Sequence, residues 1–465
     1  MRKTAIQLSD HFTFQRLLRF TFPTIVMLVF TSVYSVVDGF FVSNFVGKTP
    51  FAAVNFIMPL LIILGCTGFM FGTGGGALIS KTLGKGEPEK ANELFSLIVY
   101  AALVSGILTA VVGFLTVRPA AALMGAAGQL LEDSVTYGKI ILLALPFFVL
   151  QYEFQCLFAV AGKPNLGLAV TVAAGAANIV LDALLVAVFR WGLEGAAVAT
   201  AVSQFAGGVI PLLYFGRKNS SNLQLGKCRF DGKALLKTCT NGSSELMSSV
   251  SASVVSILYN LQLMRFTGEN GVAAYGVLMY VSMIFQGIFM GYSVGAAPVI
   301  GYHYGAENHV ELKNLRRKSL LLTGIFSAAM FLAGQALARP LSIMFVGYDP
   351  ALLDMTVHAF VIYSFSFLLS GFGIFGSSFF TALNDGFTSS LISLLRTLVF
   401  QCSMVMILPL LWGLDGIWLS IVAVGVCHNS PASLEEAKTI SILKEKRRSA
   451  KAVPFLQTAG YTSMA

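Results

Sequence analysis

Long apolar runs with few charges are the feature that most constrains the fold of this chain. Six runs contain no charged residue, and five more contain one charge each. A helix needs about 20 apolar residues to cross a bilayer core about 30 Å thick, where no water can satisfy its backbone polar groups. All eleven runs meet that length, so the sequence predicts an all-α polytopic membrane protein with eleven full spans.

The spans divide by charge content. The uncharged spans are Phe51–Ser80, Leu94–Val117, Gly195–Gly216, Gly271–Tyr302, Ser319–Ala338 and Met355–Asn384. The spans with one charge are Phe20–Val46, Ile140–Gly162, Asn165–Phe189, Glu245–Met264 and Gly386–Leu414. A twelfth apolar run begins at Gly416 but ends at Val426, which is too short to cross a bilayer.

The composition agrees with a membrane protein and excludes several other classes. Only 11% of the residues are charged, against about 25% in a typical soluble protein, and the mean hydropathy is +0.77. The formal net charge of +9 therefore does not indicate a nucleic-acid-binding protein. The six cysteines are scattered without a CxxC pair, so we expect neither a disulfide scaffold nor a metal site.

The basic residues are distributed unevenly among the loops, and their distribution predicts the orientation of the chain. With the N-terminus in the cytoplasm, the inside segments hold 18 Lys and Arg and the outside segments hold six. Loops on the cytoplasmic side of membrane proteins carry such an excess of positive charge. We therefore expect a multi-pass protein of the cell (inner) membrane with a cytoplasmic N-terminus, in contact with the lipid bilayer and not with nucleic acid.

Two sequence matches indicate an internal repeat. GFMFGTGGGALISKTLGKGE, from Gly68, aligns with GIFMGYSVGAAPVIGYHYGA, from Gly287, at an offset of 219. GLEGAAVA, from Gly192, aligns with GLDGIWLS, from Gly413, at an offset of 221. An even number of spans in each half gives a parallel repeat, in which two lobes rock around a central cavity. We expect an N-lobe of six spans at 1–215, a cytoplasmic loop at 216–244, a C-lobe at 245–427 whose twelfth span is truncated, and an atypical polar tail at 428–465.

Two carboxylates lie deep in the N-lobe spans. Asp38 is in the first span, and Asp182 in the fifth lies four residues after Asn178, on the same helix face. Thr200 in the sixth span is a candidate hydroxyl partner. Such a group is either an oxygen cage for Na⁺ or a pair of acids that shares a proton, and the remaining reading is two separate, structurally satisfied acids.

Four other polar residues inside the spans are candidates for the cavity or for structural roles. Glu153 and Gln155 in the fourth span could line the same cavity, or Glu153 could lie near a solvated helix end. Arg396 could tie the second lobe together or contact a substrate. Glu245 begins the seventh predicted span, where a carboxylate also complements the helix dipole.

Motifs for catalysis, ATP use or ion channels are missing from the sequence. It contains no GxxxxGK[ST] loop, no HExxH motif and no Ser/His cluster at a membrane face. It also lacks a filter segment between helices. We therefore expect no catalytic residues, no enzyme activity and no cofactor apart from a coupling ion, H⁺ or Na⁺.

Several segments resemble the MATE (multidrug and toxin extrusion) family, in its prokaryotic DinF-like branch. They include SVYSVVDGFFVSNFVG, LGKGEPEKANELFS, GKPNLGLAVTVAAGAANIVLDALLV and GLEGAAVATAVSQ, and the similarity extends from about residue 12 to about residue 421. The resemblance implies two six-helix lobes and a monomeric antiporter that exports organic cations or other amphipathic, drug-like compounds as H⁺ or Na⁺ re-enters. In this branch the coupling site matches Asp38, Asn178, Asp182 and Thr200.

The C-terminal segment departs from that family. After about Ile421 the expected apolar helix gives way to a polar sequence that includes SPASLEEAKTISILKEKRR. Two alternatives to an active exporter follow from these observations. One is an inactive, truncated paralogue, and the other is a lipid-linked glycan flippase, which would need several cations in its cavity where this chain offers only Arg396.

Overall fold

The computed structural model describes residues 6–428, which form α-helices joined by short turns and contain no strand. The helices of the first half are α1 (Phe14–Phe41), α2 (Lys48–Gly65), α3 (Thr67–Gly84), α4 (Pro88–Leu123), α5 (Gly128–Val160), α6 (Pro164–Asp182) and α7 (Gly192–Gly216). Those of the second half are α8 (Gly232–Thr267), α9 (Glu269–Gly305), α10 (His309–Val346), α11 (Pro350–Ser364), α12 (Phe367–Ala382), α13 (Gly386–Leu394) and α14 (Gln401–His428). Three π-helical segments extend or join them: π1 (Val42–Val46), π2 (Ala183–Val188) and π3 (Leu395–Phe400).

The predicted spans correspond to these helices. Ten helical segments of residues 6–428 are long and apolar enough to cross a membrane, and α11 with α12, bent by 49°, makes an eleventh. The second span is made of α2 and α3, which meet at Cys66. The eleven predicted spans and the all-α membrane fold are therefore confirmed.

The last described helix is interrupted at Gly413. Its φ of 59° lies in the left-handed region, which glycine adopts without a steric penalty. Residues 414–428 continue as helix for about 22 Å, which is short of a bilayer core about 30 Å thick. The polar tail predicted at 428–465 lies outside the described residues after His428.

The connection between the two halves is shorter than the sequence predicts. Only residues 217–231 are non-helical, because α8 begins at Gly232 and not at Glu245. The Asp231 carboxylate caps this helix by accepting bonds from the backbone N–H groups of Lys233 and Ala234, at 3.0 and 3.1 Å. The expected position of Glu245 at a helix start is therefore wrong, and its side chain belongs to the interior of α8.

The two lobes contact each other on the membrane side where α1 begins, here called the N-terminal side. α1 packs on α9, and α3 packs on α8 and α9. Glycines bring the backbones together: Gly242 of α8 faces the carbonyl of Met70, and Gly305 of α9 faces that of Lys81. This is the small-residue packing that membrane helices use for close approach.

The cross-lobe contacts continue to about the middle of these helices. The Ser32 hydroxyl donates to the carbonyl of Met283 at 3.3 Å, and the Cys66 Sγ lies 2.9 Å from the Ser249 Oγ. Together with the glycine contacts, they close the path between the lobes on the N-terminal side.

The segment before α1 crosses from the N-lobe to the C-lobe. The Glu311 carboxylate at the start of α10 accepts a bond from the Phe12 backbone N–H at 3.0 Å and lies 2.7 Å from His11 Nδ1. The Lys318 Nζ donates to the Phe12 carbonyl at 2.7 Å, and the Phe12 ring is fully buried. This segment therefore fastens the end of α1 to the other lobe.

Enlarging a cross-lobe glycine is expected to loosen the closed side. In Gly242→Ala the new methyl would overlap the Met70 carbonyl of the other lobe, whereas Gly376→Ala meets no atom within 4 Å. In a chain whose only cysteine is Cys156, which lies at the lobe interface, a membrane-impermeant maleimide added on the N-terminal side should label Gly242→Ala several-fold faster than the parent. Equal rates in Gly242→Ala and Gly376→Ala would contradict this role.

Removing the Glu311 carboxylate is expected to destabilise the fold. Glu311→Ala leaves the buried Phe12 N–H without its acceptor, which costs about 1–3 kcal/mol. The unfolding midpoint in detergent should fall relative to Glu93→Ala, a variant that removes the same charge from an exposed position on α4. Identical midpoints for the two variants would show that the contact contributes nothing.

Candidate functional site

The four residues predicted to form a coupling site come from three N-lobe helices that the fold brings together. Asp38 lies near the end of α1, Asn178 and Asp182 lie on α6, and Thr200 lies on α7. The Thr200 hydroxyl donates to the Asp38 Oδ1 at 3.3 Å. Asp38 also interacts electrostatically with Asp182 and Asn178, so the predicted grouping is present in the structure.

These side chains are buried, and several of their polar atoms lack a protein partner. Asp38 is 7% exposed, Asn178 1% and Asp182 0%. Both carboxylate oxygens of Asp182 and both polar atoms of the Asn178 amide have no hydrogen-bond partner among the described residues. A buried polar atom left in this state costs about 1–3 kcal/mol, so the arrangement favours a site that takes up an ion, a proton or water.

Tyr137 is a member of this site that the sequence did not reveal. Its hydroxyl lies beside Thr200 and interacts electrostatically with Asp38 and Asp182. The side chain is completely buried on α5, and its oxygen also lacks a hydrogen-bond partner within the described residues. A tyrosine in an apolar span is common, so nothing in the sequence distinguished it from a core residue.

The chemistry of this set suits a small monovalent ion or a proton. Two carboxylates, an amide oxygen and two hydroxyls are all hard oxygen donors. In the described part of the chain, no three His, Cys, Asp or Glu side chains come together as a metal site would need. Two acids that interact electrostatically, as Asp38 and Asp182 do, can instead share one proton, because neighbouring like charges disfavour ionisation of both carboxyl groups.

The backbone changes its winding beside the intramembrane charges. π1 follows Asp38 by four residues, π2 follows Asp182 directly, and π3 contains Arg396. Single π-helical turns inside α-helices often occur at functional sites, since the wider turn shifts side chains and leaves backbone carbonyls less well paired. The three π segments described in residues 6–428 thus all lie next to a charge.

Glu153 and Gln155 lie in the interior of the N-lobe. Glu153 is 0% exposed, so the alternative of a solvated helix end is wrong. Neither its carboxylate oxygens nor the Gln155 amide atoms have a partner among the described residues. Neither residue is among those that line the cavity between the lobes, so both are buried polar groups of the N-lobe interior.

A cavity lies between the two lobes. Its wall is mostly apolar, and Glu245 is its only residue with a formal charge. Arg396 interacts with Glu245 electrostatically but forms no ion pair. No carboxylate oxygen of the described residues lies within 4.0 Å of the Arg396 guanidinium nitrogens. The lining residues are Gly72, Thr73, Gly76, Ala77, Cys156, Val160, Glu245, Met290, Ser293, Val294, Ala297, Pro298, Ile374, Ser378 and Thr381.

Known proteins of similar sequence are bacterial exporters. The chain is 25% identical over 420 residues to the multidrug export protein MepA of Staphylococcus haemolyticus, which covers 89% of this chain and 91% of that protein. It is 24% identical over 419 residues to MepA of Staphylococcus aureus (strain MRSA252), with the same coverage.

Solved structures of MATE proteins share the fold. A crystal structure of MATE in complex with MaL6 superposes with a TM-score of 0.89 at 21% identity, covering 95% of this chain and all of that chain. An outward-facing multidrug resistance MATE family transporter of the MOP superfamily gives a TM-score of 0.88 at 21% identity, covering 96% of this chain and all of the other.

The family comparison also supports the internal repeat. The MatE family model matches the chain twice, at residues 23–184 and 246–407, and the two matched ranges have the same length. One match lies in each lobe, as the paired sequence motifs predict. The matched ranges cover well over half of the sequence, and the chain therefore belongs to the MatE family.

Proposed function

We propose that this chain is a secondary active multidrug exporter, which antiports organic cationic or amphipathic compounds against H⁺ or Na⁺ as its two lobes rock. The observation that carries the proposal is the group of buried acids, Asp38 and Asp182, whose surrounding polar atoms are left without protein partners. The MepA relatives are named multidrug export proteins, which supports the direction of transport and the kind of substrate.

The coupling step follows from charge compensation. With both acids ionised, the N-lobe holds two negative charges in a low-dielectric environment, which binding of Na⁺ or a proton would offset. Asp38 is on α1, whose opposite half packs on the C-lobe helix α9. Cation binding that favours one arrangement of α1 would therefore change the relative stability of the two lobe arrangements, which is the condition for coupling.

The central cavity supports the proposed substrate class. Its apolar wall suits an amphipathic compound, and the Glu245 carboxylate can compensate a positive charge. A flippase for lipid-linked glycans would have to bind a pyrophosphate there, but no lysine or arginine is among the residues that line this cavity. The lining thus favours the exporter.

The membrane topology belongs to the same proposal. The N-terminal side, where the lobes meet, is the side that carries the basic loops, and we place it in the cytoplasm of a plasma-membrane protein. The cavity is then closed towards the cytoplasm in this structure. The proposal requires one chain only, with both lobes supplied by the same monomer.

Transport by the purified protein tests the coupling site. Proteoliposomes loaded with a fluorescent cationic dye should release it when an H⁺ or Na⁺ gradient is imposed, and the ion that drives release identifies the coupling ion. Asp38→Asn and Asp182→Asn should each abolish gradient-driven release, because each removes one of the two charges that bind the cation. Asp354→Asn, a change of the same type at an exposed position on α11, should transport like the parent.

Two results would overturn the proposal. Gradient-driven release that survives in Asp38→Asn and Asp182→Asn would place coupling elsewhere. Absence of release in the folded parent chain, with either gradient and with several dyes of different charge, would favour the inactive paralogue.

Glu245 is expected to select for positive charge. Glu245→Gln should raise the KM for a cationic dye about tenfold, equivalent to about 1.4 kcal/mol, because the compensating carboxylate is lost. A neutral compound of similar size should be transported with little change in KM. An equal loss for both compounds would show that Glu245 acts on the lobe structure and not on the charge of the substrate, and Glu93→Gln serves as the control for the loss of an exposed acid.

A further inference from the structure

A second cleft lies on the N-terminal side, where α3, α4 and the start of α8 meet. It is distinct from the central cavity, and the two share no lining residue. Basic side chains dominate its wall, so we call it the lysine cleft. Its lining residues are Leu78, Lys81, Thr82, Lys85, Glu87, Lys90, Leu94, Asp231, Lys233, Ala234 and Lys237.

The acids of the lysine cleft are already engaged by groups of the protein. The Asp231 carboxylate caps α8 through the backbone N–H groups of Lys233 and Ala234. The Glu87 carboxylate lies 3.3 Å from the Lys90 Nζ. Lysines outnumber acids in the lining by five to two, so the lining residues carry a formal net positive charge.

The lysines of the cleft come from both lobes. Lys81, Lys85 and Lys90 belong to the N-lobe, whereas Lys233 and Lys237 belong to α8 of the C-lobe. They converge because α3 and α8 pack closely at this level. A preference for basic loops on the cytoplasmic side accounts for lysines on this side, but not for their gathering in one cleft across the lobe interface, where like charges repel.

We propose that the lysine cleft binds a phosphate-bearing anion that bridges the two lobes. Several ammonium groups around one cleft provide the point charges that attract a phosphate, and basic pockets at the cytoplasmic ends of membrane helices suit acidic lipid headgroups. Leu78 and Leu94 add an apolar wall beside these charges. The same headgroup chemistry is offered by an anionic phospholipid and by a soluble phosphate or pyrophosphate.

The bridging position has a conformational consequence. In the closed arrangement described here, one bound anion would lie in a cleft lined by lysines of both lobes. Separation of the lobes on this side would leave the anion with the lysines of one lobe only. Bound anion therefore stabilises the arrangement that is closed on the N-terminal side, since a ligand favours the state in which it has more contacts.

Binding and thermal stability of the full chain test this site. The parent is placed in nanodiscs of phosphatidylcholine alone, in nanodiscs that also contain cardiolipin, or in phosphatidylcholine nanodiscs with added pyrophosphate. We expect a saturable rise of the unfolding midpoint with cardiolipin if the source is a lipid, or with pyrophosphate if the source is soluble. High salt should reduce the rise, because it screens exposed charges.

A matched pair of double variants separates the cleft from general basic charge. Lys85→Gln with Lys233→Gln removes one lysine of each lobe from the cleft. Lys227→Gln with Lys313→Gln removes the same charge from exposed positions on the same side that do not line it. The cleft variant should bind the anion about ten- to thirty-fold more weakly than the parent, the loss expected for two lysine contacts, and the control variant should bind like the parent.

Two results would overturn the proposal. No response of the parent to cardiolipin or pyrophosphate, or the same response in the cleft and control variants, would show that these lysines form no site. Maleimide labelling of Cys156 from the N-terminal side, in chains whose only cysteine is Cys156, supplies a second readout. The anion should slow the labelling in the chain with an intact cleft and not in the cleft variant. These measurements need neither a transported compound nor an ion gradient, so their failure is distinguishable from failure of the exporter proposal.

Discussion

The low dielectric of the bilayer interior is the constraint on which the rest of this structure depends. A charge placed there needs a compensating partner, because water cannot solvate it. The N-lobe meets this requirement only in part. Asp38 accepts a hydrogen bond from Thr200, but the Asp182 carboxylate oxygens and the Asn178 amide atoms have no protein partner among the described residues. The C-lobe holds Glu245, which lines the central cavity, and Arg396, which interacts with it electrostatically. The first arrangement holds no positive charge of its own, whereas the second includes the Arg396 guanidinium without a close ion pair.

The fold is present in both lobes, whereas the candidate ion site is present only in the N-lobe of the described residues. The two matched ranges repeat the same helical arrangement, and Gly68, Gly72 and Gly76 of the first half recur as Gly287, Gly291 and Gly295 in the second. The acids do not repeat. Residues 257–261 and 401–405, which lie at the repeat offsets from Asp38 and Asp182, contain no carboxylate. Duplication thus retains glycines for close helix packing in both halves, while the candidate ion site lies in one lobe.

The sequence predicted the features that follow from local rules and missed those that follow from packing. Span count, the repeat and the pairing of Asn178 with Asp182 depend on apolar length and helical spacing, which a single sequence contains. The coupling site that adds Asp38 and Thr200 was implied by the family resemblance. The start of α8 was placed too late because its first turns are polar and lie outside the apolar run, although Asp231 caps a real helix there. Tyr137 was missed because its role comes from helices that are distant in sequence.

The central cavity and the lysine cleft show the same limit. Each is lined by side chains from both halves of the chain, so neither exists until the lobes pack. Hydropathy places these lysines outside the apolar runs and on one membrane side, but it gives no information on which of them converge. The spatial grouping, and not the number of charges, is what turns a topology signal into a candidate binding site.

α1 connects these regions mechanically. Near one end it carries Asp38, in its middle the Ser32 hydroxyl bonds to Met283 of the C-lobe, and the segment before it is fastened to Glu311. Asp38 and Ser32 lie within about two turns of each other on this helix, so a displacement at Asp38 would reach the Ser32–Met283 contact, and Pro23 lies between that contact and the fastened segment. The ion site and the closed side of the cavity are therefore linked by one continuous element. Asp38 accordingly lies on α1, which contacts the other lobe, and Asp182 lies on α6, which packs against α1. The peripheral α4 packs mainly on α5 within its own lobe and carries neither acid.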